Sequence, residues 1–152
     1  MRGIPRRSLF AIGILLGIGS QRLFAAETVE AKGKRVALQG YDPVSYFANG
    51  RPEKGSPDLT ASFDGATYWF ATAEHRDRFS GDPDRYAPQF AGFCAINIAR
   101  GEKYEADPQA WVIADGKLYV FGAKEGVPIF RAQSTGIIAE AKQHWPELRQ
   151  TP

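Results

Sequence analysis

Two Asp-Gly pairs, Asp64-Gly65 and Asp115-Gly116, constrain this chain more than any other local feature. Two-residue hairpin turns need positive φ at both central positions, which Asp and Gly tolerate, so Asp-Gly between β-prone runs is a strong hairpin signal. The flanks qualify in both places. Ala61-Ser62-Phe63 and Thr67-Tyr68-Trp69-Phe70 bracket the first pair, and Trp111-Val112-Ile113 and Lys117-Leu118-Tyr119-Val120-Phe121 bracket the second. Two antiparallel hairpins are expected.

Helical signals fill the spaces around them. Thr72 can cap a helix with Glu74 in its first turn, where the dipole favours an acid. Phe79 follows His75 by four residues, which places both on one helix face. Gly81-Asp82-Pro83 ends that helix, and Asp84-Arg85-Tyr86 adds a short second turn. Asp42 precedes Pro43 and so resists helical geometry, which predicts a turn leading into a short helix or strand, with the Asp42 carboxylate bonded to backbone amides. Arg51 to Asp58 reads as an exposed loop. Gln89 to Gly101 fits either a helix or a buried strand. Asp107-Pro108 caps a new start. From Ser134, Ile137, Ile138, Ala141 and Trp145 recur at helical spacing, and Pro146 closes the run. The expected class is α+β: a small single domain with two β-hairpins, short helices and a C-terminal amphipathic helix. No internal repeat is expected beyond the two Asp-Gly turns.

The N-terminus has the order of an export signal. Basic residues come first, an apolar run follows from Leu9 to Gly19, and small residues end the stretch at Ala25 and Ala26. The run is about half of the roughly 20 residues that span a bilayer, so residues 1–26 read as a removable signal with cleavage after Ala25 or Ala26. Arg6-Arg7 followed by Ser8-Leu9-Phe10 resembles a twin-arginine motif with its last two residues swapped. A periplasmic location is expected, with no stable membrane anchor once the signal is removed. The domain limits are then 1–26 for the signal, 27–39 for an N-terminal extension, 40–146 for the folded domain and 147–152 for a tail. About 126 residues after the signal suffice for one core.

Charge excludes one class of partner. The chain has 19 basic and 17 acidic residues. Four of the basic ones, Arg2, Arg6, Arg7 and Arg22, lie in the signal, which leaves 15 against 17 in the body. A mildly acidic body without a basic stripe has no footprint for nucleic acid. One cysteine, Cys94, rules out an internal disulfide and a thiolate cage for zinc. With only His75 and His144, any metal would need mixed ligands. No Ser-His-Asp spacing, phosphate loop, His-Glu-x-x-His or dinucleotide fingerprint is present, so no catalytic motif supports an enzyme.

The candidate site residues carry two readings each. Cys94 is either a small buried hydrophobe or a thiol used for binding or redox chemistry, its pKa lowered by a helix N-terminus or by His75, Arg76, Arg78 or Arg100. His75 is either a solvated helix residue or a ligand. His144, beside Trp145-Pro146, reads as packing at a helix end. Tyr41, Tyr46, Tyr68, Trp69 and Tyr86 are core, or their hydroxyls line a small pocket with Cys94.

The stretch Gly40-Tyr41-Asp42-Pro43-Val44-Ser45-Tyr46-Phe47, then Tyr68-Trp69-Phe70 with His75 to Phe79, then Asp82-Pro83-Asp84-Arg85-Tyr86-Ala87-Pro88-Gln89-Phe90-Ala91-Gly92-Phe93-Cys94-Ala95, resembles the YHS domain family. Asp107-Pro108, Trp111, Asp115 to Tyr119 and His144-Trp145-Pro146 resemble its longer exported branch, in which the position of Cys94 is cysteine or selenocysteine. Metal-binding members of the wider group carry cysteine in the Asp-Pro-Val-Cys turn and again after the hairpin aromatics. Here those places hold Ser45 and Ala71-Thr72-Ala73, so those soft donors are missing. The resemblance implies an exported, non-enzymatic accessory module that binds a small ligand or a metal ion, copper or another transition metal, through a mixed site of Cys94, His75 and Asp42. A thiol-dependent redox protein using Cys94 is the first alternative. A structural or interaction module with an unidentified protein partner is the second.

Overall fold

The computed structural model describes residues 34–152, so the signal and most of the N-terminal extension expected over 1–39 lie outside the described residues. The elements run α1 (Pro43–Ala48), β1 (Ser56–Phe63), β2 (Ala66–Phe70), α2 (Ala73–Gly81), α3 (Pro83–Tyr86), α4 (Ala95–Ala99), β3 (Asp107–Ala114), β4 (Lys117–Phe121) and α5 (Gly126–Leu148). The class is α+β. β1 pairs antiparallel with β2, and β3 pairs antiparallel with β4, in separate two-stranded sheets. Both Asp-Gly turns form, with positive φ at Asp64, Gly65, Asp115 and Gly116. Among the described residues no helix is long and apolar enough to cross a membrane.

A two-stranded hairpin is marginal alone, and each one here is stabilised by aromatic packing from the helix that follows it. Phe79 of α2 lies 5.0 Å from Tyr68 and 5.1 Å from Phe70 between ring centres. Phe130 of α5 lies 4.8 Å from Tyr119 and 5.1 Å from Phe121. The match between those pairs is part of a general one. Residues 36–79 and 88–130 form one architecture used twice, offset by 52 residues before α4 and by 51 after it, because α4 is one residue shorter than α1. Leu38, Gln39 and Gly40 have φ of 54°, 51° and 80°, and Phe90, Ala91 and Gly92 have 55°, 51° and 79°. Val36 bridges Thr67 in parallel as Pro88 bridges Leu118, and Tyr41 opposes Lys54 as Phe93 opposes Glu105. Asp42 N donates to Glu53 O, and Cys94 N donates to Tyr104 O, both at 2.8 Å. Even the pairing irregularities coincide, at Ser56 to Thr60 and at Asp107 to Trp111. The expectation of no repeat beyond the turns is therefore corrected: the chain is a tandem structural duplication.

The two irregularities explain a second correction. The segment Arg51 to Asp58, expected to be loop, becomes strand from Ser56. Pro57 and Pro108 sit inside strands because the ladder skips there, so neither missing N–H is needed. Asp107-Pro108 accordingly opens β3. The repeat also accounts for α5. It starts at Gly126, eight residues before Ser134, and its backbone breaks at Gln133 (φ −133°, ψ 23°). Gln133 stands where Asp82 ends α2 in the first repeat, so the helical period from Ser134 begins at the end of the second unit. Pro146 lies within the last turns and does not close the helix. Gln89 to Gly101 resolves into a left-handed turn and the helix α4, with Ile96 and Ile98 buried. Ala37 and Leu38 are buried in the first core, so the folded body begins upstream of Gly40.

Two buried cores form, the first of which also takes in Ala91, Ala106, Leu118 and Val120 of the second repeat. Val44, Tyr46, Tyr68, Phe70 and Phe79 anchor the first, and Ile98, Phe121, Phe130 and Ile137 anchor the second. Phe93 and Trp145 pack against both. The two left-handed turns also meet: a methyl group on Gly92 would come within 3.4 Å of Leu38 and 3.6 Å of Ala37.

Candidate functional site

Two sites stand at the same place in the two repeats. In the first, Asp42 caps the N-terminus of α1 and is fully buried. Its Oδ1 accepts from Val44 N at 2.8 Å, and its Oδ2 accepts from Ala71 N at 2.9 Å. The same Oδ2 lies 2.5 Å from His75 Nδ1, whose N–H points the ring at the carboxylate. Thr72 sets the position of that ring by capping α2, its Oγ1 accepting from His75 N at 3.1 Å. A buried carboxylate is tolerable only when its oxygens are filled by donors, and here two amides and one imidazole fill them. The Asp42 turn and the Thr72 cap both follow the sequence reading. Asp42 and His75, 33 residues apart, meet as the resemblance implied, but as a hydrogen-bonded pair in which the carboxylate is filled by protein donors.

In the second repeat Cys94 takes the position of Asp42 at the N-terminus of α4. It is buried at 3% exposure and lines a cavity of about 250 Å³. The other walls are Ile96, Asn97, Tyr104, Phe121, Gly122, Ala123 and Gly126. Tyr104 was not among the aromatics expected near Cys94, yet it is the tyrosine that borders the cavity, and it is 58% exposed. Tyr46 and Tyr68 are core instead, while Tyr41 and Tyr86 pack at the edge of the first core. Burial raises the pKa of the Tyr46 and Tyr68 phenols well above the ordinary tyrosine value, and raises Tyr119 in the same direction. Tyr46 OH donates to Pro108 O at 2.9 Å, a bond between the repeats.

The structure thus brings Asp42 and His75 together and leaves Cys94 in the other repeat. Among the described residues no group of three His, Cys, Asp or Glu side chains is gathered to hold a metal. A mixed site of Cys94, His75 and Asp42 is corrected on this geometry: the Asp42 oxygens are spent on amides and imidazole, and the thiol belongs to a different core. Of the four cationic neighbours considered for the thiol, His75, Arg76, Arg78 and Arg100, none lines its cavity. His144 packs as read, its Nδ1 3.2 Å from Ile98 O.

Glycine decides why the second site is open. Counting from the shared turn, Ile96 replaces Val44, Gly122 replaces Ala71 and Gly126 replaces His75. A Cβ on Gly126 would come 2.7 Å from Phe121 Cβ and 3.0 Å from its Cγ, so α5 packs against β4 too closely for any side chain at 126. No sequence signal marked Gly126, because its role depends on where Phe121 lies in space. Comparison of the chain with protein-family models, with curated proteins and with solved structures finds no match.

Proposed function

We propose that this chain is an exported, non-enzymatic accessory module that binds a small ligand in the cavity beside Cys94. One observation carries the reading: the only cysteine of the chain lines an open cavity whose remaining walls, Asn97 apart, are apolar, aromatic or glycine. A cavity of 250 Å³ lies just below the range that takes drug-sized molecules, so it suits a ligand of one ring. Asn97 and the Cys94 sulfur are the polar groups available to orient it. The resemblance to the exported YHS branch supports the same placement of function at Cys94. Export rests on residues 1–26, and recovery of the chain from the cytoplasm with its N-terminus intact would remove that part of the proposal.

The test is a screen of single-ring fragments against the reduced full chain by protein-observed NMR. Shifts concentrated at Cys94, Ile96, Gly122 and Gly126, with Kd values at or below about 1 mM (−4 kcal/mol), are the expected result. Prior alkylation of Cys94 should abolish them. A screen in which nothing perturbs these amides removes the ligand reading. The redox alternative rests on the same residue, buried at the wall of that cavity, and for it peroxide should convert Cys94 to a sulfenic acid that thiols reduce.

A further inference from the structure

We infer that the Cys94 cavity takes an imidazole-type ligand, a small planar azole, in the place that His75 fills in the first repeat. The inference rests on the ligand reading of that cavity and names its chemical class. The first repeat shows what this architecture holds at that point. Asp42, Val44, Ala71 and His75 form a closed group in which an imidazole N–H donates to the residue capping the first helix of the repeat. The counterparts Cys94, Ile96, Gly122 and Gly126 all line the cavity of the second repeat. So the cavity lies where the imidazole ring sits in the first.

The chain cannot refill this space from its own equivalent position. A Cβ at Gly126 collides with Phe121, while in the first repeat His75 occupies that position and its side chain is about nine-tenths buried. An occupant must come from outside. Its chemistry follows from the walls. The Cys94 sulfur replaces the Asp42 carboxylate as acceptor for an azole N–H, weaker because it is a soft and poor acceptor. Asn97, at the place of Ser45, offers both a donor and an acceptor to the second ring nitrogen. Phe121 and Tyr104 supply aromatic walls to a flat ring. Tyr104 is free to adjust, since it is largely exposed, and Gly122 leaves room for it: a Cβ there would come 3.0 Å from Tyr104 Cε1.

Imidazole itself is the probe, titrated by NMR into the reduced full chain at about pH 8, where the free base dominates, with cyclopentanol as a ring of similar size that lacks the paired nitrogens. Imidazole should perturb Cys94, Ile96, Gly122 and Gly126 and bind at least about fivefold more tightly than cyclopentanol. Cys94→Asp restores the carboxylate acceptor and should tighten imidazole by about tenfold while leaving cyclopentanol unchanged, since charge-assisted hydrogen bonds are the stronger ones. His75→Gly should open the matching cavity in the first repeat, and millimolar imidazole should recover part of the lost thermal stability. Equal affinity for imidazole and cyclopentanol, with other single-ring fragments still bound, overturns the azole assignment and leaves the ligand reading standing. Failure of every fragment overturns both. If either variant does not fold, the comparison of the two probes on the unmodified chain decides.

Discussion

Alanine at Phe79 and alanine at Phe130 are each expected to lower the unfolding free energy by about 3–5 kcal/mol, the range for a large aromatic removed from a tight core. Both side chains are 1% exposed, and each contacts a tyrosine and a phenylalanine of its own hairpin at ring separations of 4.8–5.1 Å. The two hairpins are separate two-stranded sheets, so the aromatic clamp is what fastens each to its helix. Since total stability of a domain is about 5–15 kcal/mol, either change should leave a marginal fold. Urea unfolding of the two variants checks this. Penalties that agree within about 1 kcal/mol are expected from equivalent clamps, and a loss under 1 kcal/mol at either position would show that the clamp does not hold its repeat.

Asp42→Ala is the second large effect, expected at about 3–5 kcal/mol. The substitution strands Val44 N, Ala71 N and the His75 ring N–H, three donors that converge on one carboxylate with no exposure to water. It also removes the cap of α1. Asp42→Asn keeps an oxygen for one set of donors and places an NH₂ against the others, so it should recover only part of the loss. Denaturant midpoints at fixed pH measure both, and an Asp42→Ala protein within 1 kcal/mol of the original would contradict the central place given to this carboxylate. The same measurement on Cys94→Ala should show a smaller change, because Cys94 lines an open space and Asp42 does not.

What the sequence made visible is what short-range chemistry decides. Asp64-Gly65 and Asp115-Gly116 supply positive φ where hairpins need it, Asp42-Pro43 makes a turn, with helix or strand left open after it, and Thr72 caps a helix. The duplication stayed hidden because each repeat constrains size and backbone angle more than identity. Leu38 answers to Phe90, Val44 to Ile96 and Tyr46 to Ile98, all buried, and the positions that do coincide, such as Pro57 and Pro108 or Tyr68 and Tyr119, are scattered across a one-residue offset change at α4. Gly126, where the second unit has its opening, lies in the part of α5 that precedes the amphipathic period from Ser134. Pairings across space, Asp42 with His75 and Cys94 with Tyr104 and Gly126, are set by the packing of helices on hairpins, which no spacing rule contains.

The rate at which iodoacetamide alkylates Cys94 in the folded chain, followed across urea concentrations below the unfolding transition, tests the cavity reading most directly. A thiol at the wall of an open cavity reacts from the native state, so the expected rate is slower than that of a free thiol, and nearly independent of urea until the chain unfolds. A rate that climbs with urea along the slope of global unfolding would mean that the reagent meets Cys94 only in opened molecules, and would leave the cysteine as a packed core residue.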